Sequence, residues 1–212
     1  AVMTAIAPHL PAHAVITDAG STKGDVIAAA RRFFGARLPR FVPGHPVAGT
    51  EKSGAMAAFP ELFNGKNVIL TPQPETAAAA LRLVQRTWEA CGARVTRLGA
   101  SEHDAILAAV SHLPHVIAYA LVNMLARRRN AAQLFGLSAG GLRDTVRIAG
   151  SSPEMWADIC VANREALLAA LEDYENELER VRAAIESADG TELKRLFADA
   201  RNARAKWLVK KP

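Results

Sequence analysis

The chain has 212 residues, half of them hydrophobic, and 26 basic against 21 acidic residues give it a formal charge of +5. That is enough chain for a sizeable core, with no uninterrupted apolar run near the roughly 20 residues of a membrane span and no basic start followed by an apolar stretch to mark a signal peptide. Five positive charges, Arg201, Arg204, Lys206, Lys210 and Lys211, follow the last acid, Asp199, and the other 21 basic residues balance the 21 acids, so the excess belongs to the tail and no basic stripe argues for a nucleic-acid surface. Cys91 and Cys160 lie far apart without metal-type spacing, so neither a disulfide framework nor a metal site is expected, only packed, reduced thiols. The expectation is a soluble cytoplasmic protein with neither a membrane nor a nucleic acid as partner.

Residues 2–10 read as a helix closed by Pro11, so the sequence opens inside an element and is expected to be a fragment or a processed chain. Residues 14–18 read as a short buried strand, 19–24 as a turn, and 25–34 as a helix stopped by Gly35. Phe41-Val42, 68–71 and 95–98 are further strand candidates. Between the last two, 75–91 reads as a helix with Leu81, Val84 and Trp88 on one face and Gly92 as its stop. Residues 1–99 are therefore expected to be α/β.

After Gly99 strand signals cease, and 100–212 is expected to be a second, all-helical domain. Ile106, Leu107, Val110, Ile117, Leu121 and Leu125 mark a long apolar helix that Pro114 should kink. Ser152-Pro153-Glu154 is a helix start, with an N-cap Ser and Pro at the first helical position. The helix it opens carries Leu167, Leu171, Tyr174, Leu178, Val181 and Ile185 at alternating spacings of four and three, the seam of a helix that packs along another. Leu193, Leu196, Ala200, Ala203 and Trp207 repeat the pattern. Such seams close either a monomeric bundle or a dimer, and so many apolar stripes in a small domain favour the dimer.

The most chemically dense stretch is Gly44-His45-Pro46-Val47-Ala48-Gly49-Thr50-Glu51-Lys52-Ser53-Gly54. It reads as a loop in which Pro46 presses His45 into an extended conformation and the glycines admit close ligand approach. An imidazole near its ordinary pKa of about 6.5 suits a general base, while a structural His in a tight turn is the plain alternative. Asp18-Ala19-Gly20-Ser21-Thr22-Lys23 stands at the carboxyl end of a strand, where open α/β sheets bind ligands; it also fits an ordinary polar turn. Ser111-His112-Leu113-Pro114-His115 sets two histidines three apart on one helix face. They lack a third metal ligand and read as pocket-lining or as hydrogen-bonded core residues. Gly140-Gly141-Leu142-Arg143-Asp144-Thr145-Val146-Arg147 joins flexible backbone to two guanidinium groups, the natural bidentate partners of carboxylates.

Taken together and in this order, these motifs, with Pro153-Glu154-Met155-Trp156, resemble the prephenate/arogenate dehydrogenases, the NAD(P)-dependent enzymes of tyrosine biosynthesis. The resemblance implies the distal part of a Rossmann-type nucleotide-binding domain (1–99) followed by a helical substrate-binding and dimerisation domain (100–212), with a homodimer and a site in the cleft between domains. The implied reaction is oxidative decarboxylation of prephenate or arogenate. Hydride leaves the carbinol carbon for the nicotinamide of NAD or NADP, a base takes the hydroxyl proton, and loss of CO2 aromatises the ring. The resemblance makes His45 the group that hydrogen-bonds the hydroxyl and Ser21 its orienting partner, both catalytic; Ser21, Asp18 and His45 also touch the cofactor. Arg147 would clamp a substrate carboxylate, and His115, Glu51, Lys52 and Thr50 would line or gate the substrate pocket. Trp156 would reach the neighbouring subunit's site, with His112 and Asp144 in supporting positions. The Gly-rich fingerprint and the acid that reads the ribose do not occur in these residues and are expected upstream of Ala1. Two other readings stand beside this one: a non-catalytic dimerising module of the same descent, and a dehydrogenase of related architecture acting on another hydroxy acid.

Overall fold

A computed structural model describes residues 2–49, 56 and 58–209. Two compact units divide the chain, Ala1–Leu167 and Leu168–Pro212. The first opens with α1 (Val2–Ile6) and a 3-10 turn, then β1 (Ile16–Thr17), α2 (Gly24–Phe33), β2 (Phe41–Val42), β3 (Gly44–Val47), β4 (Asn67–Leu70), α3 (Ala78–Ala90) and β5 (Arg94–Arg97). β1 pairs in parallel with β2, β4 pairs in parallel with β5, and β3 runs antiparallel to β4 with His45 opposite Ile69. Past β5 every described element is helical, the change from α/β to all-α that the sequence predicts.

Two apolar clusters hold this part together. Val42, Val68, Leu70, Ala80, Val84 and Ala93 form one, with Leu81 and Trp88 of α3 packed against it as their spacing predicts. Ile16, Ala30, Phe34 and Phe41 form the other. Gly92 ends α3 at φ +80, and a Cβ there would meet Asn64 Oδ1 at 2.9 Å, so both backbone and space demand glycine.

Several expectations need correction. Gly44–Val47 is a strand, because four residues of β4 supply it with a ladder; Pro46 is tolerated because β3 is an edge of its sheet. Pro114 produces no simple kink. Helix α4 (Ala100–Leu107) passes through a π turn at Ala108–His112 into α5 (Leu113–Ala126), with the Leu113 N–H bonded to the Ala108 carbonyl. The wider turn relieves the clash that a proline ring makes with the carbonyl four residues back. The helix opened by Ser152 also stops early. α8 (Pro153–Ala162) ends at Asn163, whose backbone leaves helical angles, and α9 (Arg164–Glu186) starts afresh. Cys91 is exposed rather than packed.

From Ala100 to Ala126 the helix is 27 residues long and, by length and composition alone, apolar enough to cross a membrane. Its polar residues break the apolar run in sequence, yet His103 and His112 turn inward and are buried at 0% and 1% exposure. After α5 come α6 (Ala131–Gly136) and α7 (Gly140–Val146), so the Gly-Gly-Leu-Arg-Asp stretch is helix rather than loop. The second unit consists of most of α9 and of α10 (Gly190–Val209). Along it Leu178, Ile185 and Trp207 of the predicted seams remain exposed, while Leu196 is buried.

Candidate functional site

The turn after β1 is organised by a buried charge and its half-buried counter-ion. Lys23 is wholly buried, its ammonium pairing with Asp18 and donating to the Gly44 carbonyl at 2.7 Å. Asp18 in turn accepts from the backbone of Gly20 and of Gly44, each at 2.9 Å. Burial pulls the Lys23 pKa down, against the pull of Asp18 upward. The pair ties the turn that carries Ser21 to the strand that carries His45. Asp18 and Lys23 are therefore spent on each other, and Asp18 does not border the cavity described below.

His45 is buried, and its Nδ1 lies 2.8 Å from His103 Nε2. The other nitrogen of His103, Nδ1, lies 2.8 Å from Asp104 Oδ1. Asp104 also accepts from the backbone N–H groups of Lys23 and Gly24, both at 2.8 Å, and so caps the start of α2 from a distant helix. Burial would raise the Asp104 carboxyl, but the bonds from His103 and from the Gly24 and Lys23 backbone hold it below its ordinary value. His45 is instead held in its neutral form. Burial first, then the neighbouring His103, Lys23 and His112, push it down to about 3. It is a neutral and weakly basic imidazole, not the near-neutral base the sequence predicts.

A cavity of about 890 Å³ opens at this point, bordered by Ser21, His45, His112, His115, Arg147 and Trp156, with Leu107 and Ile159 among its apolar walls. Its volume falls in the range of small-molecule sites. His112 stands on the π turn. In an unbroken α-helix nine residues rotate a side chain about half a turn, which would turn His112 away from the face of His103; the extra residue of the π turn takes back about 100°. Asn163 Nδ2 donates both to the Asp104 carbonyl at 2.8 Å and to His112 Nδ1 at 3.0 Å. An amide nitrogen only donates, so neutral His112 carries its hydrogen on Nε2. Burial pushes its pKa down to about 4. His115 Nδ1 bonds the Ser111 carbonyl at 2.9 Å, and burial lowers its pKa too, helped by the charge of Arg147.

Trp156 is buried and stacks on His115 with ring centroids 3.5 Å apart. It borders the cavity of this chain, and its indole nitrogen has no acceptor among the described residues. Arg147 begins the 3-10 turn Arg147–Gly150 after α7, a turn further fixed by Tyr119, whose hydroxyl donates to the Ser151 carbonyl at 2.7 Å. Of the other expected site residues, Asp144 is exposed on α7 and does not border the cavity, while Thr50, Glu51 and Lys52 lie outside the described residues. His103, Asp104 and Asn163 were not expected. The only signal for them was a His-Asp pair near the start of a long helix and an Asn where a heptad seam begins. Among the described residues no group of three His, Cys, Asp or Glu is placed to hold a metal ion.

The cavity suits an anion carrying an oxidisable hydroxyl. It combines a guanidinium, a neutral imidazole acceptor, an imidazole donor and a hydroxyl, and none of its described lining residues is acidic. The same residues fit the nicotinamide end of a dinucleotide, with Ser21 as a hydroxyl partner beside apolar wall, at the carboxyl end of β1 where α/β folds receive such rings.

Comparison with known proteins adds the following. Residues 1–97 match the family model for the nucleotide-binding domain of prephenate dehydrogenase, and residues 99–199 match the model for its dimerization domain. A cyclohexadienyl dehydrogenase of Zymomonas mobilis is 41% identical over 207 residues, covering 96% of this chain and 69% of that protein. A prephenate dehydrogenase of Bacillus subtilis is 36% identical over 191 residues, 90% of this chain but only 51% of the relative. The chain thus spans about two thirds of the first and half of the second. A solved prephenate dehydrogenase of Aquifex aeolicus, in complex with hydroxyphenyl propionate and NAD+, superposes with a TM-score of 0.90 at 37% identity, over 97% of this chain and 71% of that one.

Proposed function

Because the chain belongs to the prephenate dehydrogenase family, we propose that it carries the substrate site and hydrogen-bonding machinery of an NAD(P)-dependent oxidoreductase that decarboxylates prephenate or arogenate as it oxidises it. The observation that carries this reading is the convergence of His45, Ser21, His115 and Arg147 on one cavity. The reading divides the protein into domains near residue 99, a division supported by the change from strands to helices there. A cytoplasmic location goes with the reading, since both substrate and nicotinamide cofactor are intracellular metabolites.

When bound, the nicotinamide supplies the hydride acceptor. His45 accepts the hydrogen bond of the substrate hydroxyl, and its acceptor strength counts for most as that hydroxyl acidifies on the way to a carbonyl. Ser21 sits beside it to orient hydroxyl and cofactor. Arg147 holds a carboxylate in its planar fork, while His115 and Trp156 stack to form a flat wall for the ring. Loss of CO2 sends its electron pair into the ring, and the oxygen recovers its proton as a phenol. The balance therefore asks His45 to lend acceptor strength, not to keep a proton. An imidazole with a pKa of about 3 meets that demand.

The helical part supports a homodimer. Val110 and Val161 are 68% and 77% exposed in the first unit, and Ile185 and Phe197 are 60% and 58% exposed in the second. Such surface is costly to leave in water. The test of the whole reading is spectrophotometric: NAD and NADP reduction by the full-length protein with prephenate or arogenate. His45→Asn should lower kcat by roughly 10²–10⁴ with KM little changed, whereas Arg147→Ala should raise KM at least tenfold. No reduction with any of the four pairs, from a folded protein, refutes the assignment.

A further inference from the structure

His45 can serve as an acceptor only if the hydrogen of its neutral ring is on the nitrogen that faces away from the substrate. Its Nδ1 is the nitrogen engaged with His103, so Nε2 must be bare. Nothing in the residue itself sets this, because free imidazole carries its hydrogen on either nitrogen. The neighbours do. Asp104 Oδ1 already takes the Lys23 N–H and faces His103 Nδ1 at 2.8 Å. A carboxylate oxygen does not donate, so His103 Nδ1 carries a hydrogen. With one hydrogen on the ring, His103 Nε2 is an acceptor, and the 2.8 Å contact to His45 then places the His45 hydrogen on Nδ1. Each contact fixes the direction of the next, and the chain ends in a bare Nε2 on His45.

We propose that His103 and Asp104 are positioning residues that lock His45 in its acceptor tautomer. Asp104 has a second part in this. By capping α2 through Lys23 and Gly24 it also sets the height of the turn that bears Ser21, so one carboxylate registers both polar groups that meet the substrate hydroxyl. The wholly buried His103 keeps water from offering His45 Nδ1 another partner. Developing positive character on His45 is also shared through a ring whose far nitrogen rests on an anion, the arrangement by which a carboxylate orients a catalytic imidazole elsewhere.

The inference rests on the function proposed above, but its first test does not need turnover. Long-range 1H–15N spectra of the selectively labelled, ligand-free protein at pH 7 report which nitrogen of each histidine is protonated, and His45→Asn assigns the signal. The expected state is a neutral His45 protonated on Nδ1. A neutral His45 protonated on Nε2, as a charged His103 would impose, overturns the proposal. Asp104→Asn is the second test. Its carbonyl oxygen can keep an α2 cap, while its amide donates to His103 Nδ1 and should reverse the chain, moving the His45 hydrogen to Nε2. In the same variant kcat should fall on the order of 10²–10⁴ with KM within about threefold. An active wild type whose Asp104→Asn variant keeps both tautomer and kcat refutes the lock and leaves the function standing. An inactive wild type with the expected spectrum refutes the function and leaves the lock.

Discussion

Replacing Asp18 by alanine should cost more than any other single change in the turn that precedes α2. The substitution removes the counter-ion of a lysine with no exposed side-chain surface and takes away the acceptor of two backbone N–H groups, those of Gly20 and Gly44. Stranding a buried charge costs about 3–5 kcal/mol. The loss is capped because burial already pulls the Lys23 pKa down, so a stranded ammonium sheds its proton before the penalty grows further. Against a total stability of roughly 5–15 kcal/mol, about 4 kcal/mol would leave little margin. Lys23→Met should cost less, about 2–3 kcal/mol, because the carboxylate it leaves keeps two backbone donors and 15% exposure. The double variant should recover part of the loss, with a coupling of about 2 kcal/mol between the sites. Urea unfolding of the four proteins at pH 7 measures all of this. Single costs that add to within about 0.5 kcal/mol, or an Asp18→Ala cost under about 1 kcal/mol, would refute the claim that this pair holds the site together.

Gly44→Ala should lower Tm by roughly 2–12 °C, from about 1–3 kcal/mol of overpacking, because its Cβ would meet Asp18 O, Thr17 Oγ1 and Leu70 Cδ2, each at 3.2 Å; an unchanged Tm would show that β3 has room to move. Stability should also fall as pH drops from about 6.5 toward 4. His45 and His112 have folded pKa values of about 3 and about 4 against an ordinary 6.5, so in that window the unfolded chain binds more protons than the folded one. The neutral-state stabilisation is complete above about 6.5 and is lost at up to about 1.4 kcal/mol per pH unit per group below it. Melting curves between pH 7.5 and 4.5 test this, and a flat Tm over that range counts against both burials.

What the sequence shows of this fold is what short-range chemistry decides. Gly92 stops a helix because a left-handed backbone angle is needed there, and Ser152 starts one because its hydroxyl reaches the Met155 N–H; both signals sit within a few residues of their effect. Gly44–Val47 looks like loop because two of its four residues disfavour strand on their own. What makes it strand is a ladder to Asn67–Leu70, more than twenty residues on. The split at Asn163 is the same lesson on a helix. Nothing nearby forbids continuation, but its amide is wanted by Asp104 and His112, the latter 51 residues away.

The site divides along the same line. Its members His45, Ser21, His115 and Arg147 are readable as residue types in motifs, but their electrostatics are not, because charge and burial come from other segments. His45 alone is a base poised near neutrality. In place it is buried against a second histidine 58 residues on, and its pKa drops to about 3. That would be a defect in an enzyme that had to extract a proton and discard it. Here the hydroxyl oxygen of the substrate ends as a phenol and regains what it lent, so a stronger base would only hold the proton back from the product. If His45 bonds the substrate hydroxyl as proposed, the burial that makes it weak also strengthens that bond in the transition state, since low dielectric magnifies a bond to developing charge. On this argument, opening the His45 environment to water should raise its pKa and slow turnover together.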